Sequence, residues 1–264
     1  MRCTPVIAAL AVFATVQAHA ATLELDFDAY GGGLPIAKGT MRLTGGAGGP
    51  SGPYEIHLDA GWASWITLFT SFRYEAEAVG TLGNPSVRPT RFKSERRQRR
   101  KHDVLRIDFS ATPPVVRNDP PTDPHDALLV PETAKRGTAD PLSVGAAVTA
   151  AAGGASACTG RYPVYDGRRR YDVLMTPLGR EVLRPSSRRM AAGPALACQV
   201  TLRPVAGFQK DHKPDRFFVE GVERTARIWF LRVEPQGRVV PMQAEVETNL
   251  GTVYVHTTAV RLTP

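Results

Sequence analysis

The stretch Thr22-Leu-Glu-Leu-Asp-Phe-Asp-Ala-Tyr30 alternates apolar with acidic residues. Leu23, Leu25 and Phe27 fall on one side of an extended chain, and Glu24, Asp26 and Asp28 on the other. A two-residue period is that of a strand with one buried face. The same period recurs along the chain. Ile36–Leu43 follows the turn Gly31-Gly-Gly33, and Tyr54, Ile56 and Leu58 alternate after the glycine-rich loop 45–53. Phe72–Val79 is a further strand, and Arg91–Arg100 with Val104–Phe109 reads as a hairpin. Beyond residue 160, Tyr162–Tyr165 and Arg168–Thr176 flank the turn pair Asp166-Gly167. Ala195–Val205, Arg224–Val233, Arg238–Thr248 and Thr252–Leu262 then close the chain as a meander.

Two segments depart from this period. Trp62, Trp65, Ile66 and Phe69 recur at three and four, which predicts a short apolar helix. In Asp140-Pro-Leu-Ser-Val-Gly-Ala-Ala-Val-Thr-Ala-Ala152 the first residue is a natural N-cap and Pro141 suits the first helical position, with Gly153-Gly154 as the stop. Residues 113–131, rich in proline and aspartate, read as an extended connection. No internal repeat or domain boundary is apparent, so residues 21–264 read as a single β-rich domain. The expected class is mainly β (α+β), a curled antiparallel sheet or half-open barrel with about two helices on its concave face. Incomplete cover of that face would leave an apolar cavity.

The chain has 264 residues, 42% of them hydrophobic and 22% charged, which excludes collagen-like, coiled-coil and wholly disordered classes. Its mean hydropathy of -0.19, with one apolar run at the N-terminus, excludes a polytopic membrane protein. That run, Val6–Val16, follows Arg2 and precedes Ala18-His19-Ala20. This is the pattern of a secretory signal peptide cleaved after Ala20, and it places the protein in the periplasm or outside the cell. Cys3 would leave with the signal. Cys158 and Cys198 remain, and in an oxidising compartment one disulfide is their simplest state, with a free thiol the weaker alternative. The formal charge of +8 favours anionic envelope partners such as lipid headgroups, while export argues against nucleic acid.

Candidate functional residues are few. In Asp166-Gly-Arg-Arg-Arg-Tyr-Asp172, alternation puts Arg168 and Arg170 on one face with Asp172, and Arg169 and Tyr171 on the other. An arginine facing the concavity could hold an anionic headgroup, or simply pair with an acidic neighbour across the sheet. Trp62 and Trp65 could line a lipid site or form a lip that enters a membrane, or be plain core. The run 95–102 carries Arg96, Arg97, Arg99, Arg100 and Lys101. It suits either peripheral contact with an anionic membrane or a charged hairpin that discourages edge pairing. Asp119, Asp123, His125 and Asp126 lack the spacing of a calcium loop and read as a solvated linker. No nucleophile elbow, zinc-protease helix or phosphate loop is present, the histidines are scattered, and nothing calls for a metal or other cofactor.

Several segments in order carry a family resemblance. They are Asn118-Asp-Pro-Pro121, Asp140-Pro-Leu-Ser143, Cys158, Tyr165–Asp172, Gly193-Pro-Ala-Leu-Ala-Cys198, Ala226-Arg-Ile-Trp229 and Leu250-Gly-Thr252. The sequence resembles the proteobacterial exported family known as domain of unknown function 3108. The resemblance implies an envelope location and a sheet curled around a helical segment, similar to periplasmic lipoprotein carriers. It brings no activity and no catalytic residues. Three readings follow. The first is an envelope protein binding an apolar or anionic lipid-like ligand. The second is a structural or interaction protein of the envelope with no small ligand. The third, and weakest, is a cell-wall or glycan hydrolase.

Overall fold

The computed structural model describes residues 21–45, 51–83, 86–121, 130–154, 157–208, 219, 221–234, 237–248 and 251–263. Segment 1–20, with the expected cleavage point, lies outside the described residues, as do Asp123, His125 and Asp126. In chain order the strands are β1 (Thr22–Gly31), β2 (Leu34–Thr44), β3 (Gly52–Trp62), β4 (Phe72–Leu82), β5 (Val87–Gln98), β6 (Lys101–Asp108) and β7 (Val115–Asp119). Helices α1 (Glu132–Lys135) and α2 (Pro141–Ala151) follow. The remaining strands are β8 (Gly160–Tyr165), β9 (Arg170–Leu183), β10 (Gly193–Ala206), β11 (Arg224–Val233), β12 (Arg238–Thr248) and β13 (Gly251–Thr263). The strands form one sheet ordered β7-β6-β5-β4-β3-β2-β1-β13-β12-β11-β10-β9-β8. Every neighbouring pair is antiparallel, so the expected mainly β class is found.

β1 lies in the middle of this sheet, between β2 and β13. Leu23 and Leu25 are buried as their alternation requires, whereas Phe27 is only half-buried, next to a bulge at Asp26/Phe27. α2 packs against β3, β4 and β5 and also against β8 and β12. β5 and β8 are ten positions apart in the sheet. On a flat sheet that is about 48 Å, far more than the roughly 10–12 Å width of a helix. Only a sheet rolled around α2 lets one helix touch them all. The right-handed twist of adjacent strands gives the roll its direction.

α2 forms where the sequence places it. Asp140 is its N-cap and accepts the Ser143 amide at 2.8 Å, and Pro141 opens the first turn. Ser143, Val144, Ala146, Ala147 and Thr149 are buried, and Leu142, Val148 and Ala150 pack against the same core. Apolar contact all round marks a core helix. Its alanines keep it slim enough for strands to approach from several sides. Around it lie Ile56, Ala78, Phe92, Val164, Tyr171, Cys198 and Phe230.

A second core gathers Leu23, Leu25, Ala195, Ala197, Trp229, Leu231, Val240 and Met242. On β10 and β11 these are the residues of opposite parity to Leu196, Cys198, Ile228 and Phe230, which belong to the first core or pack against it. Both faces of β10 and β11 are therefore covered. The β9–β10 connection lies against β13, with the Met190 amide donating to the Thr257 carbonyl at 2.9 Å.

The outer strands, β7 and β8, have no ladder between them in this sheet order. The β8–β9 turn instead rests on β6. Gly167 has φ +88, and a Cβ there would lie 2.8 Å from Leu105 Cδ1 and 3.5 Å from Ile107 Cδ1. Glycine alone meets both the left-handed backbone and the close approach.

Two expectations need correction. Trp62–Phe69 is not a helix on the concave face. β3 runs on through Trp62, and only Ile66–Leu68 forms a single 3₁₀ turn with no buried residue. Its three-and-four period is too short to bury a stripe. Inside the presumed connection 113–131 lies β7, and α1 follows directly after it. α1 packs beside Tyr165 and Arg170, on the face of the β8–β9 hairpin turned away from α2.

Cys158 and Cys198 are disulfide-bonded, buried at 5% and 0% exposure, and their 40-residue separation ties the segment after α2 to β10. Chain entropy for such a loop gives about 4 kcal/mol. The double variant Cys158→Ser/Cys198→Ser is expected to lose stability of that order in urea unfolding. Reductant should then leave the variant unchanged while destabilising the wild-type chain.

Candidate functional site

Three groups of polar or exposed residues stand out. The first lies inside. Tyr54 of β3 donates its hydroxyl to Ser143 Oγ at 2.5 Å, and Ser143 Oγ donates in turn to Asp140 Oδ2. Asp140 and Ser143 are fully buried and Tyr54 is 4% exposed. Burial pushes the Asp140 carboxyl up to about 6, against the hydrogen bonds from Ser143 that lower it. Burial also raises Tyr54, Tyr74 and Tyr171 nearby. A serine bonded to a carboxylate resembles catalytic machinery, but no substrate can reach a fully buried hydroxyl. The chemistry here is a clamp that fixes the start of α2 to β3. From sequence Asp140 is legible as an N-cap, whereas Tyr54 lies 89 residues from Ser143 and gives no signal.

The second group is the Arg168–Asp172 run. Arg170 and Asp172 share a face, as alternation requires, and Tyr171 points into the core, 6.5 Å from the Phe208 ring. Arg168 is separated from Arg170. It belongs to the turn, where Asp166 Oδ1 accepts the amides of Arg168 and Arg169 at 2.9 and 2.6 Å, and its side chain is exposed. Arg170 is 9% exposed. Its Nη1 lies 2.9 Å from Asp172 Oδ1 and donates to the Tyr171 carbonyl, and its Nε donates to the Ala134 carbonyl. Arg161 of β8 donates to Asp172 Oδ2 at 2.7 Å. Burial raises the Asp172 carboxyl, but Arg161 and Arg170 outweigh it and hold the group below the usual carboxylate range.

The third group is a rim. In an antiparallel meander, the β1–β2, β3–β4 and β5–β6 turns fall at the same end. Arg96 pairs with Asp103 at 2.6 Å, and Arg97 and His102 both pair with Glu95. Arg99, Arg100 and Lys101 form no ion pair with a described carboxylate. The Arg99 amide donates to the Ser71 carbonyl at 3.2 Å, which brings the β5–β6 tip against the β3–β4 turn. In that turn Trp65 donates its Nε1 to the Pro35 carbonyl at 2.6 Å, while Leu68 and Phe69 are 81% and 78% exposed. Trp62 stands apart from this lip, half-buried in β3 with its ring 5.0 Å from Phe72.

Elsewhere, a trough of about 390 Å³ lies over β2–β5, with Arg42, Arg73 and Lys93 opposed by Asp59, Glu75 and Glu95. His57 and His102 are exposed beside Glu55 and Glu95, and His256 is buried against Tyr30, so these histidines do not converge. Among the described residues no three His, Cys, Asp or Glu side chains gather as a metal would require.

Asp140 and Asp172 predict pH effects of opposite sign. A carboxyl raised in the folded state favours folding below its unfolded pKa, and that contribution is lost as pH rises through the folded value. The Asp140 contribution, about 3 kcal/mol, is therefore lost between about pH 4 and pH 6. Urea midpoints of Asp140→Asn relative to wild type should improve across that range and then level off. A lowered carboxyl stabilises above its unfolded pKa, and the benefit is lost as pH falls below about 4. Asp172→Asn should therefore cost more stability at neutral pH than in acid.

With this geometry in view, comparisons with known proteins place the chain. The crystal structure of a beta-barrel-like protein of domain of unknown function DUF1849 from Brucella abortus is similar to it at 8% identity, with a TM-score of 0.48. The match covers 93% of this chain and 98% of that one. No curated protein matches the sequence. The model of the family described as protein of unknown function (DUF3108) matches residues 26–258, from within β1 to within β13. The chain belongs to the DUF3108 family.

Proposed function

We propose that this is an exported protein of the cell envelope that works through its surface, as a docking or interaction protein, rather than by enclosing a ligand. Export is supported by the segment ending Ala18-His19-Ala20 and by a buried cystine, a bond that persists in oxidising compartments. The single observation that carries the surface reading is the position of α2. A carrier needs open apolar space under its sheet. Here that place is taken by a helix whose apolar side chains meet the strands on several sides. The helix is also fixed at both ends, by the Tyr54–Ser143–Asp140 clamp at its start and by the cystine after its end. An apolar ligand would have to displace it.

Native mass spectrometry of protein purified from a periplasmic extract without detergent tests this reading. The expected result is an N-terminus at Ala21 and a single mass equal to the chain with its disulfide. A discrete adduct in the mass range of a lipid would overturn it in favour of the carrier reading. A retained leader or recovery only from the cytoplasm would overturn the export part.

A further inference from the structure

We infer that the rim built by the β1–β2, β3–β4 and β5–β6 turns docks the protein on an anionic phospholipid bilayer. The inference rests on the surface reading above and names its partner. The printed contacts form an unbroken row across this end of the sheet. Arg188 donates to the Gly33 carbonyl at 3.0 Å and lies over the Tyr30 ring, with its carbon 4.5 Å from the centroid. Leu34, next in the chain, is 58% exposed, and Pro35 accepts the Trp65 indole. Leu68 and Phe69 follow, and the Thr70 and Ser71 beside them bond Arg99. Arg100 and Lys101 complete the row.

Two features fit a bilayer better than other occupants. Leu68 and Phe69 stand out of the β3–β4 turn as an apolar lip, in a segment with no buried residue. An indole anchored at its nitrogen beside projecting leucine and phenylalanine is the side-chain set that settles at a headgroup boundary. Cations flank this lip on both sides, and the nearby carboxylates of Glu95 and Asp103 are taken up by Arg97, His102 and Arg96. The charge presented beside the lip is therefore positive, complementary to an anionic leaflet. Val182, exposed at 72%, lies on β9 away from this row. No described helix is long and apolar enough to cross a membrane.

Sedimentation with vesicles of phosphatidylcholine, with and without phosphatidylglycerol, tests the inference on the full mature protein. Wild type should bind the anionic vesicles, release them at high salt, and leave the neutral ones. Leu68→Ser with Phe69→Ser should weaken binding about tenfold or more. Each of Arg99→Gln, Arg100→Gln and Lys101→Gln should cost about fivefold, and the triple variant should flatten the salt dependence. Val182→Ser should bind as wild type. These positions are exposed, and an unchanged urea midpoint would confirm that each variant is folded. Absence of binding to anionic vesicles, equal binding to neutral ones, or binding indifferent to both sets of variants would overturn the inference. A dimer that the Leu68→Ser/Phe69→Ser pair dissolves would also overturn it, by assigning the rim to a second copy of the chain. An apo native mass together with any of these failures removes the bilayer but leaves the surface reading standing.

Discussion

The Asp140 carboxylate gathers the Ser143 amide and hydroxyl at the start of α2, and the Tyr54 hydroxyl of β3 closes the arrangement from the sheet side. All three side chains are out of water, so the bonds must be made within the protein or each group carries an uncompensated cost of about 1–3 kcal/mol. That constraint fixes where the helix enters the sheet, and the rest follows from it. With α2 held against β3, the cystine at Cys158 fixes the segment after its far end to β10. The sheet can then only wrap the helix between these two points. The β8–β9 turn arrives over β6 as the last contact of that wrap.

Much of this was legible in the chain because burial on one face imposes a two-residue period, and the strands that carry the core obey it. β1 and β10 are read directly from alternations such as Leu23/Leu25 and Leu196/Cys198, and the ranges Phe72–Val79 and Arg224–Val233 read as the strands that β4 and β11 turn out to be. The N-cap and opening proline of α2 are equally local signals. β7 was not legible, because Pro113-Pro114 and Pro120-Pro121 bracket its five residues, and it stands at the edge of the sheet, where proline at the ends costs no ladder bond. The Trp62–Phe69 period misled for the opposite reason. Apolar residues three and four apart also occur where a strand ends in a turn, and here Leu68 and Phe69 face outward instead of stacking into a stripe.

The candidate sites divide along the same line. Net basicity and the cationic tip are properties of sequence. Which cations remain available is a property of pairing across strands. Glu95 within the run and Asp103 just after it take up Arg97 and Arg96 and leave Arg99, Arg100 and Lys101 at the very turn. The Arg168–Arg170 pair shows the converse. Alternation put Arg170 and Asp172 on one face, yet only the three-dimensional arrangement brings Arg161 and the Ala134 carbonyl to them and turns a candidate ligand-binding arginine into an internal tie.

The unlaced seam between β7 and β8 has a consequence for how the molecule acquires its girth. In a closed barrel, strand number and stagger together dictate the radius, and the contents must fit. A sheet whose outer strands share no ladder, with the β8–β9 turn resting on β6 and the β8 edge bonded to Ala139 instead, has no such quantised radius. With no ladder to fix a stagger between β7 and β8, the filling sets the size of the container. The slender, alanine-rich α2 acts as a mandrel, and relatives could widen or narrow the hoop by changing that one helix while leaving every strand pairing as it is.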